Sequence, residues 1–294
     1  MSISLVRQNG VPVGSMLAMM GLIVAALALV GLARITPVLA ADENSLLVQS
    51  TTSTRNSGLF DFILPLFTKQ TGITVKVVAV GTGQALKNGR NGDGDVLLVH
   101  ARSAEQKFVA EGYGVKRFDV MYNDFIIVGP RQDPARLVGT KDILLALKKI
   151  ADTKSLFASR GDDSGTHKKE RQLWKQVGLD VSAQSASWYR ETGAGMGATL
   201  NIATGMHAYT LTDRATWMAF GNKGNLEIMS EGDKRLFNQY GVILVNPRKH
   251  RHVKARQGQR FIDWLTGVKG QAAIARYKLK GKQLFFPNAR PLSH

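Results

Sequence analysis

Apolar and polar positions after Ser45 follow two alternating periods. Short apolar runs at residues 46–49, 73–80, 96–99, 125–128, 156–158, 208–211, 226–229 and 242–245 predict strands, and a further one is expected at 186–189. Between them lie stretches of helical period. In 59–68, Leu59, Phe60, Ile63, Leu66 and Phe67 share one face, with Pro65 as an expected kink. Residues 103–111, 140–150, 214–220, 259–265 and 270–277 read the same way, the first of them starting at a Ser103 cap. Strand, helix, strand in this order predicts an α/β protein with helices on both faces of its sheets. Ligands of such sheets sit beyond the carboxyl ends of the strands. No internal repeat and no low-complexity linker interrupts the pattern.

The first forty residues stand apart. Arg7 and Arg34 are their only charges, and an apolar block fills 17–32. Val38, Leu39 and Ala40 then precede Ala41, Asp42 and Glu43. Small residues three and one positions before an acidic start indicate a secretory signal, residues 1–40, cleaved after Ala40. The rival is a retained membrane anchor, since the run is nearly long enough to span. With no cysteine, a lipid-modified terminus, disulfides, thiolate metal sites and a thiol nucleophile are excluded.

The net charge of +17 falls to +15 without Arg7 and Arg34. A chain this basic suits an anionic ligand or surface, and outside the cytoplasm nucleic acid is not expected as a partner. Its roughly 250 mature residues are enough for one large domain or two small ones.

Four turns, each between a predicted strand and helix, carry the candidate chemistry. They are 50–58, 81–84, 159–166 and 192–199, all rich in Gly, Ser and Thr. In the third, Ser159, Arg160, Gly161, Asp162, Asp163, Ser164, Gly165 and Thr166 combine cap residues, flexible glycines and a cation with a fork of donors. A helix N-terminus adds unpaired N–H groups and the positive end of its dipole, so the turn can receive an oxyanion. Taken alone it is also an ordinary capped turn with a solvated arginine. Four such turns converging from two lobes would make a pocket rich in donors and poor in acceptors, which suits a fully deprotonated tetrahedral anion.

These segments resemble the periplasmic tungstate-binding proteins of bacterial ABC transporters over nearly all of the mature length. The resemblance rests on Ser50, Thr51, Thr52, Ser53 and Thr54 with Ser57, Gly58 and Leu59, and on Val80, Gly81, Thr82, Gly83, Gln84 and Ala85. It continues through 92–100, 121–125, 159–170, 191–203 and 209–217. The family carries a threonine where Ser50 stands, which keeps the hydroxyl, and often a polar residue where Ala194 stands. The resemblance implies a two-lobed binding protein of two parallel or mixed sheets joined by two crossover segments. Lobe one would be 42–124 and 244–294, and lobe two 125–243. It also implies tungstate or molybdate as ligand, no cofactor, no enzyme activity, a monomer in the periplasm and the permease of an ABC transporter as partner. The motif carries over anion contacts to Thr51, Thr52, Ser53, Arg160, Ser164, Gly165 and Thr166. Gly81, Thr82, Gly195, Met196 and Gly197 are added here as backbone donors.

Two alternatives stay open in the sequence. A phosphate or sulfate carrier is one; protonated phosphate would want an acceptor, which Asp162, Asp163 or Asp213 could supply. A hydrolase using Ser164 and His167, three apart, is the other. His100 and His207 lack the spacing of metal ligands, and the His167–Glu170 pair lies next to Arg160, which would repel a metal, so no cation site is expected. Trp174, Trp188, Trp217 and Trp264 read as core, and the basic run 248–256 reads as solvated surface or as a dock for an acidic membrane partner.

Overall fold

The computed structural model describes residues 44–290, so the expected signal at 1–40 lies outside the described residues. Strands β1 (Ser45–Thr51), β2 (Thr74–Val80) and β3 (Val96–Val99) form the parallel part of a first sheet. β4 (Gly114–Pro130) and β9 (Phe237–Val245) extend it antiparallel, giving the order β10-β4-β9-β3-β1-β2 with β10 (Phe286–Pro287) at the edge. Helices α1 (Thr52–Asn56), α2 (Leu59–Thr71), α3 (Thr82–Asn91) and α4 (Arg102–Ala110) follow its strands, and α9 (Ala255–Thr266) and α10 (Val268–Arg276) close it. Leu46, Ile63, Phe67, Val96, Phe108, Val242 and Phe261 lie in one buried cluster, with the Phe67 and Phe261 rings edge to face at 5.1 Å. Each such side chain, fully buried, contributes about 1.5–3 kcal/mol.

β4 does not stop at the first sheet. Gly114 to Asp124 pair with β9; Phe125 to Pro130 pair with β7 (Thr210–Asp213) and β8 (Leu226–Ser230). A small parallel pair, β5 (Phe157–Ser159) and β6 (Tyr189–Glu191), lies beside β7 through a bridge from Phe157 to Tyr209. Around these pack α5 (Ile143–Asp152), α6 (Gly165–Val177), α7 (Met196–Met206) and α8 (Arg214–Ala219). Phe125 and Ile127 face one cluster, with Phe157, Leu173 and Trp174. Ile126 and Val128 face another, with Met196, Leu200 and Trp217. A strand covered on both faces needs apolar residues at every position, which is why 125–128 reads as an unbroken apolar run.

The architecture is the expected α/β arrangement of mixed strands, with β4 running from one set of pairings into the other. Several boundaries differ. β9 was expected to begin at Val242, with the return crossing at 243/244. Instead Phe237, Asn238, Gln239 and Tyr240 already pair with the first-sheet half of β4. β4 begins eleven residues before the expected 125. Bulges between Gly114 and Arg117 and between Asp119 and Met121 shift the side-chain alternation, which erases the period-two signal there. α4 starts at Arg102 after Ala101, not at a Ser103 cap; the Glu105 carboxylate reaches back to the Ala101 N–H at 2.5 Å. α5 is capped by Asp142, which accepts from Leu144 and Leu145 N–H, rather than starting at 140. All four tryptophans are 1–8% exposed and serve as core.

Candidate functional site

Each of the four predicted turns sits at the carboxyl end of a strand, and three open helices of ten residues or more, α3, α6 and α7. None of these three has an acidic residue in its first turn, where one would ordinarily complement the dipole. Gly81 and Gly195 precede α3 and α7 in extended backbone and give no side-chain cap. The first N–H groups of these helices, including those of Thr82, Gly165, Thr166, Met196 and Gly197, have no intrahelical carbonyl to bond.

The turns lie against one another. A β-carbon placed on Gly81 would be 3.3 Å from the Asp162 carbonyl and 3.6 Å from Ser164 Cα. Gly83 N–H donates to the Asp163 carbonyl at 3.2 Å. The Gly195 α-carbon faces Thr52, whose Oγ1 and Cγ2 would be 3.8 and 3.9 Å from an added β-carbon. Thr192 N–H donates to the Ser159 carbonyl at 2.9 Å, and Thr192 Oγ1 lies 2.8 Å from Thr199 Oγ1. The structure thus brings together Thr51, Thr52, Ser53, Gly81, Thr82, Arg160, Ser164, Gly165, Thr166, Gly195, Met196 and Gly197.

Arg160 is 2% exposed. Its Nε donates to the Ala194 carbonyl at 2.7 Å and its Nη2 to the Asp162 carboxylate, so third and fourth turns share one cation. Neither bond uses Nη1. Asp162 also accepts from Ser164 N–H through Oδ1 at 3.2 Å, and Asp163 is paired with Lys168. Both carboxylates are committed to the protein.

Two hydroxyls in the cluster have no partner. Thr82 Oγ1 and Thr166 Oγ1 are fully buried and unbonded, each in the first turn of its helix. An unpaired buried hydroxyl costs about 1–3 kcal/mol, so evolution retains it where something else accepts its hydrogen. Helix dipoles, a buried arginine and orphaned donors together fit a desolvated oxyanion.

Sequence reading missed the second layer. His100 lies 3.1 Å from Ser53 Oγ through Nε2 and 3.0 Å from Asn238 Oδ1 through Nδ1. Burial holds its pKa down at about 4; the Asn238 bond opposes this, and the nearby Arg160 charge adds a smaller downward push. Asn238 donates to Asn123 at 2.6 Å, and Asn123 approaches Asp213 at 3.5 Å. Burial raises the Asp213 pKa although Thr216 hydrogen bonds and Arg160 oppose it, and its Oδ2 is unbonded. His100, Asn123 and Asp213 each lie in a matched segment, 92–100, 121–125 and 209–217, which hinted at them; Asn238 lies in none. The suggested Ser164–His167 pair is not a nucleophile and base: Ser164 Oγ caps the His167 backbone N–H at 3.2 Å, while His167 Nδ1 accepts from Asp163 N–H at 3.1 Å.

A family model described as a PBP superfamily domain matches residues 39–269. The chain is 50% identical over 251 residues to the tungstate-binding protein TupA of Peptoclostridium acidaminophilum, covering 84% of this chain and 87% of that one. Among solved structures, the tungstate-binding protein TupA of Desulfovibrio alaskensis G20 is 48% identical, with a TM-score of 0.71 over 84% of this chain and 99% of that one. The tungstate ABC transporter structure from Geobacter sulfurreducens is 50% identical, with a TM-score of 0.73 over 80% and 99%.

Proposed function

We propose that this chain, which belongs to the PBP superfamily and within it to the tungstate-binding proteins, captures tungstate outside the cytoplasm and delivers it to an ABC transporter. The observation that carries the ligand assignment is the pair of buried, unbonded hydroxyls, Thr82 and Thr166, in two turns that meet where Gly81 packs on the Asp162 carbonyl. A tungstate dianion offers four acceptor oxygens and no hydrogen, so each orphan donor gains a charged partner.

Lobe one comprises residues 44–124 and 237–290, and lobe two 125–236, with β4 and the segment before Phe237 as the crossings. The turn at Thr51, Thr52 and Ser53 and the one at Gly81 and Thr82 come from lobe one. Arg160, Ser164, Gly165, Thr166, Gly195, Met196 and Gly197 come from lobe two. The anion lies between them, and the lobes close on it as a hinged clamp. No step of chemistry is required, and the carrier is a monomer without a cofactor that docks on its permease in the periplasm. A phosphate carrier would need an acceptor for the phosphate hydrogen; Asp162 and Asp163 already have cationic partners, and of the three candidates Asp213 alone keeps an unbonded buried oxygen.

Calorimetric titration of the mature protein with tungstate, molybdate, sulfate and phosphate tests this. One tungstate per chain is expected, and at a thousand-fold excess over Kd it should stabilise the fold by about 4 kcal/mol. Heat and a melting shift with phosphate but none with tungstate would overturn the assignment.

A further inference from the structure

A line of buried polar side chains runs from the first turn of the site to the strand that crosses between the sheets. It comprises Thr54, Thr51, Ser53, His100, Asn238, Asn123 and Asp213, each at most 5% exposed. The successive separations are 2.8, 3.1, 3.1, 3.0, 2.6 and 3.5 Å.

Its direction follows from the far end. Asp213 Oδ1 accepts the Thr216 N–H at 2.9 Å as the cap of α8, so it is an acceptor toward Asn123 as well. Asn123 therefore turns its NH2 to Asp213 and its carbonyl to Asn238. Asn238 turns its NH2 to Asn123 and its carbonyl to His100. A carbonyl only accepts, so His100 carries its hydrogen on Nδ1.

The imidazole is neutral. It lies between the Tyr240 and Phe125 rings at 4.8 and 6.2 Å, has no carboxylate hydrogen-bonded to it and feels the Arg160 charge. Nε2 then holds a lone pair, and Ser53 must donate to it. Ser53 has one hydroxyl hydrogen, so the Thr51–Ser53 bond takes its hydrogen from Thr51. Thr51 is then spent too, and Thr54 donates to Thr51.

We propose that His100 is a positioning residue that commits the hydroxyl hydrogens of Ser53 and Thr51 away from the anion and leaves Thr52 as the hydroxyl donor of that turn. Thr52 Oγ1 takes part in no hydrogen bond among the described residues, and it faces Gly195 across the site. The proposal deepens the tungstate reading and rests on it for the ligand. It gives the hinge a direct hold on the pocket: moving Asn123 or Asn238 breaks the order that orients the turn.

Nitrogen-15 NMR of histidine-labelled mature protein, first without any anion, reads the tautomer. His100 should be neutral at pH 7 with its hydrogen on Nδ1; a hydrogen on Nε2, or on both nitrogens, overturns the relay whatever the ligand. Tungstate titration of single variants reads the consequence. Thr52→Val should weaken binding about ten-fold or more, and Ser53→Ala no more than about three-fold. An equal or larger loss for folded Ser53→Ala overturns the proposal. If no form of the protein binds tungstate, the ligand reading fails while the NMR result still decides the relay.

Discussion

Gly165 opens α6 directly against the imidazole of His100. A β-carbon on Gly165 would stand 2.8 Å from both Cε1 and Nδ1 of the ring and 3.0 Å from the His100 carbonyl. The ring cannot yield, being buried and bonded at both nitrogens. This contact joins the end of the first sheet's β3 to the N-terminus of a helix in the other half of the molecule.

Gly165→Ala should therefore act on binding more than on folding. Gly165 has ordinary helical backbone, and alanine is favoured over glycine within helices by about 1 kcal/mol. If the lobes separate without ligand, the open form tolerates the methyl and the closed form does not. Tungstate affinity should fall about ten-fold or more while the melting temperature without ligand holds or rises. Calorimetry and thermal melting check it; unchanged affinity would mean that His100 and Gly165 do not meet in the bound state.

Arg160 is buried, and its guanidinium fork is fixed by the Ala194 carbonyl and Asp162. A hydrogen bond to a charged group contributes roughly 1.5–3 kcal/mol. Arg160→Ala should weaken tungstate binding about ten- to a hundred-fold, and it also strips Asp162 of its partner, so some stability is lost. Arg160→Lys should restore part of the affinity but less discrimination among oxyanions, since an ammonium group fixes the oxygens less tightly. Arg251→Ala, in the exposed basic run, is the control and should change affinity little. Titration with tungstate, molybdate and sulfate measures all three.

Thr82→Val and Thr166→Val should move stability and binding in opposite directions. Each replaces an unpaired buried hydroxyl with a methyl of the same shape, so the protein without ligand should gain up to about 1–3 kcal/mol. Each also removes a donor from the anion, and tungstate should bind about ten-fold or more weakly. Melting curves with and without tungstate separate the two effects. A variant that binds as tightly as the parent would show that its hydroxyl does not face the anion.

The four turns of the candidate site were legible in the sequence because their composition is local. A turn such as 159–166 carries its glycines, cap and cation within eight residues, and the strand ends that hold the four turns are short apolar runs. What brings Ser53 to His100, Asn238, Asn123 and Asp213 is pairing across β3, β9 and β4, with partners 47 to 138 residues apart. No periodicity marks such contacts. Asp162 was read as a cap type, but Ser164 is the N-cap of α6; Asp162 instead accepts the Ser164 N–H and pairs with Arg160 beside a left-handed Gly161. The long β4 stayed hidden because two bulges break its alternation.

Glu170 supplies the last prediction. It lies in α6, 1% exposed, and accepts from the Tyr189 hydroxyl at 2.5 Å. Burial outweighs its hydrogen bonds and pushes its pKa up to about 7. In the unfolded chain a glutamate titrates near 4.3. The folded protein therefore holds a proton that the unfolded chain has lost, and the sign follows. This contribution is fully present below about pH 4.3 and is lost as pH rises through 7, reaching about 3 kcal/mol. Glu105 is raised to about 7 as well, mainly by burial against the pull of Arg117, and adds a second slope of the same sign. Glu170→Gln keeps the acceptor for Tyr189 and carries no charge. Its melting temperature should match the parent near pH 4, exceed it increasingly from pH 5 to 8, and retain only the slope due to Glu105 and the other groups. Parallel melting curves for parent and variant across that range would show that Glu170 is ionised in the folded protein at no cost, and that burial does not govern it.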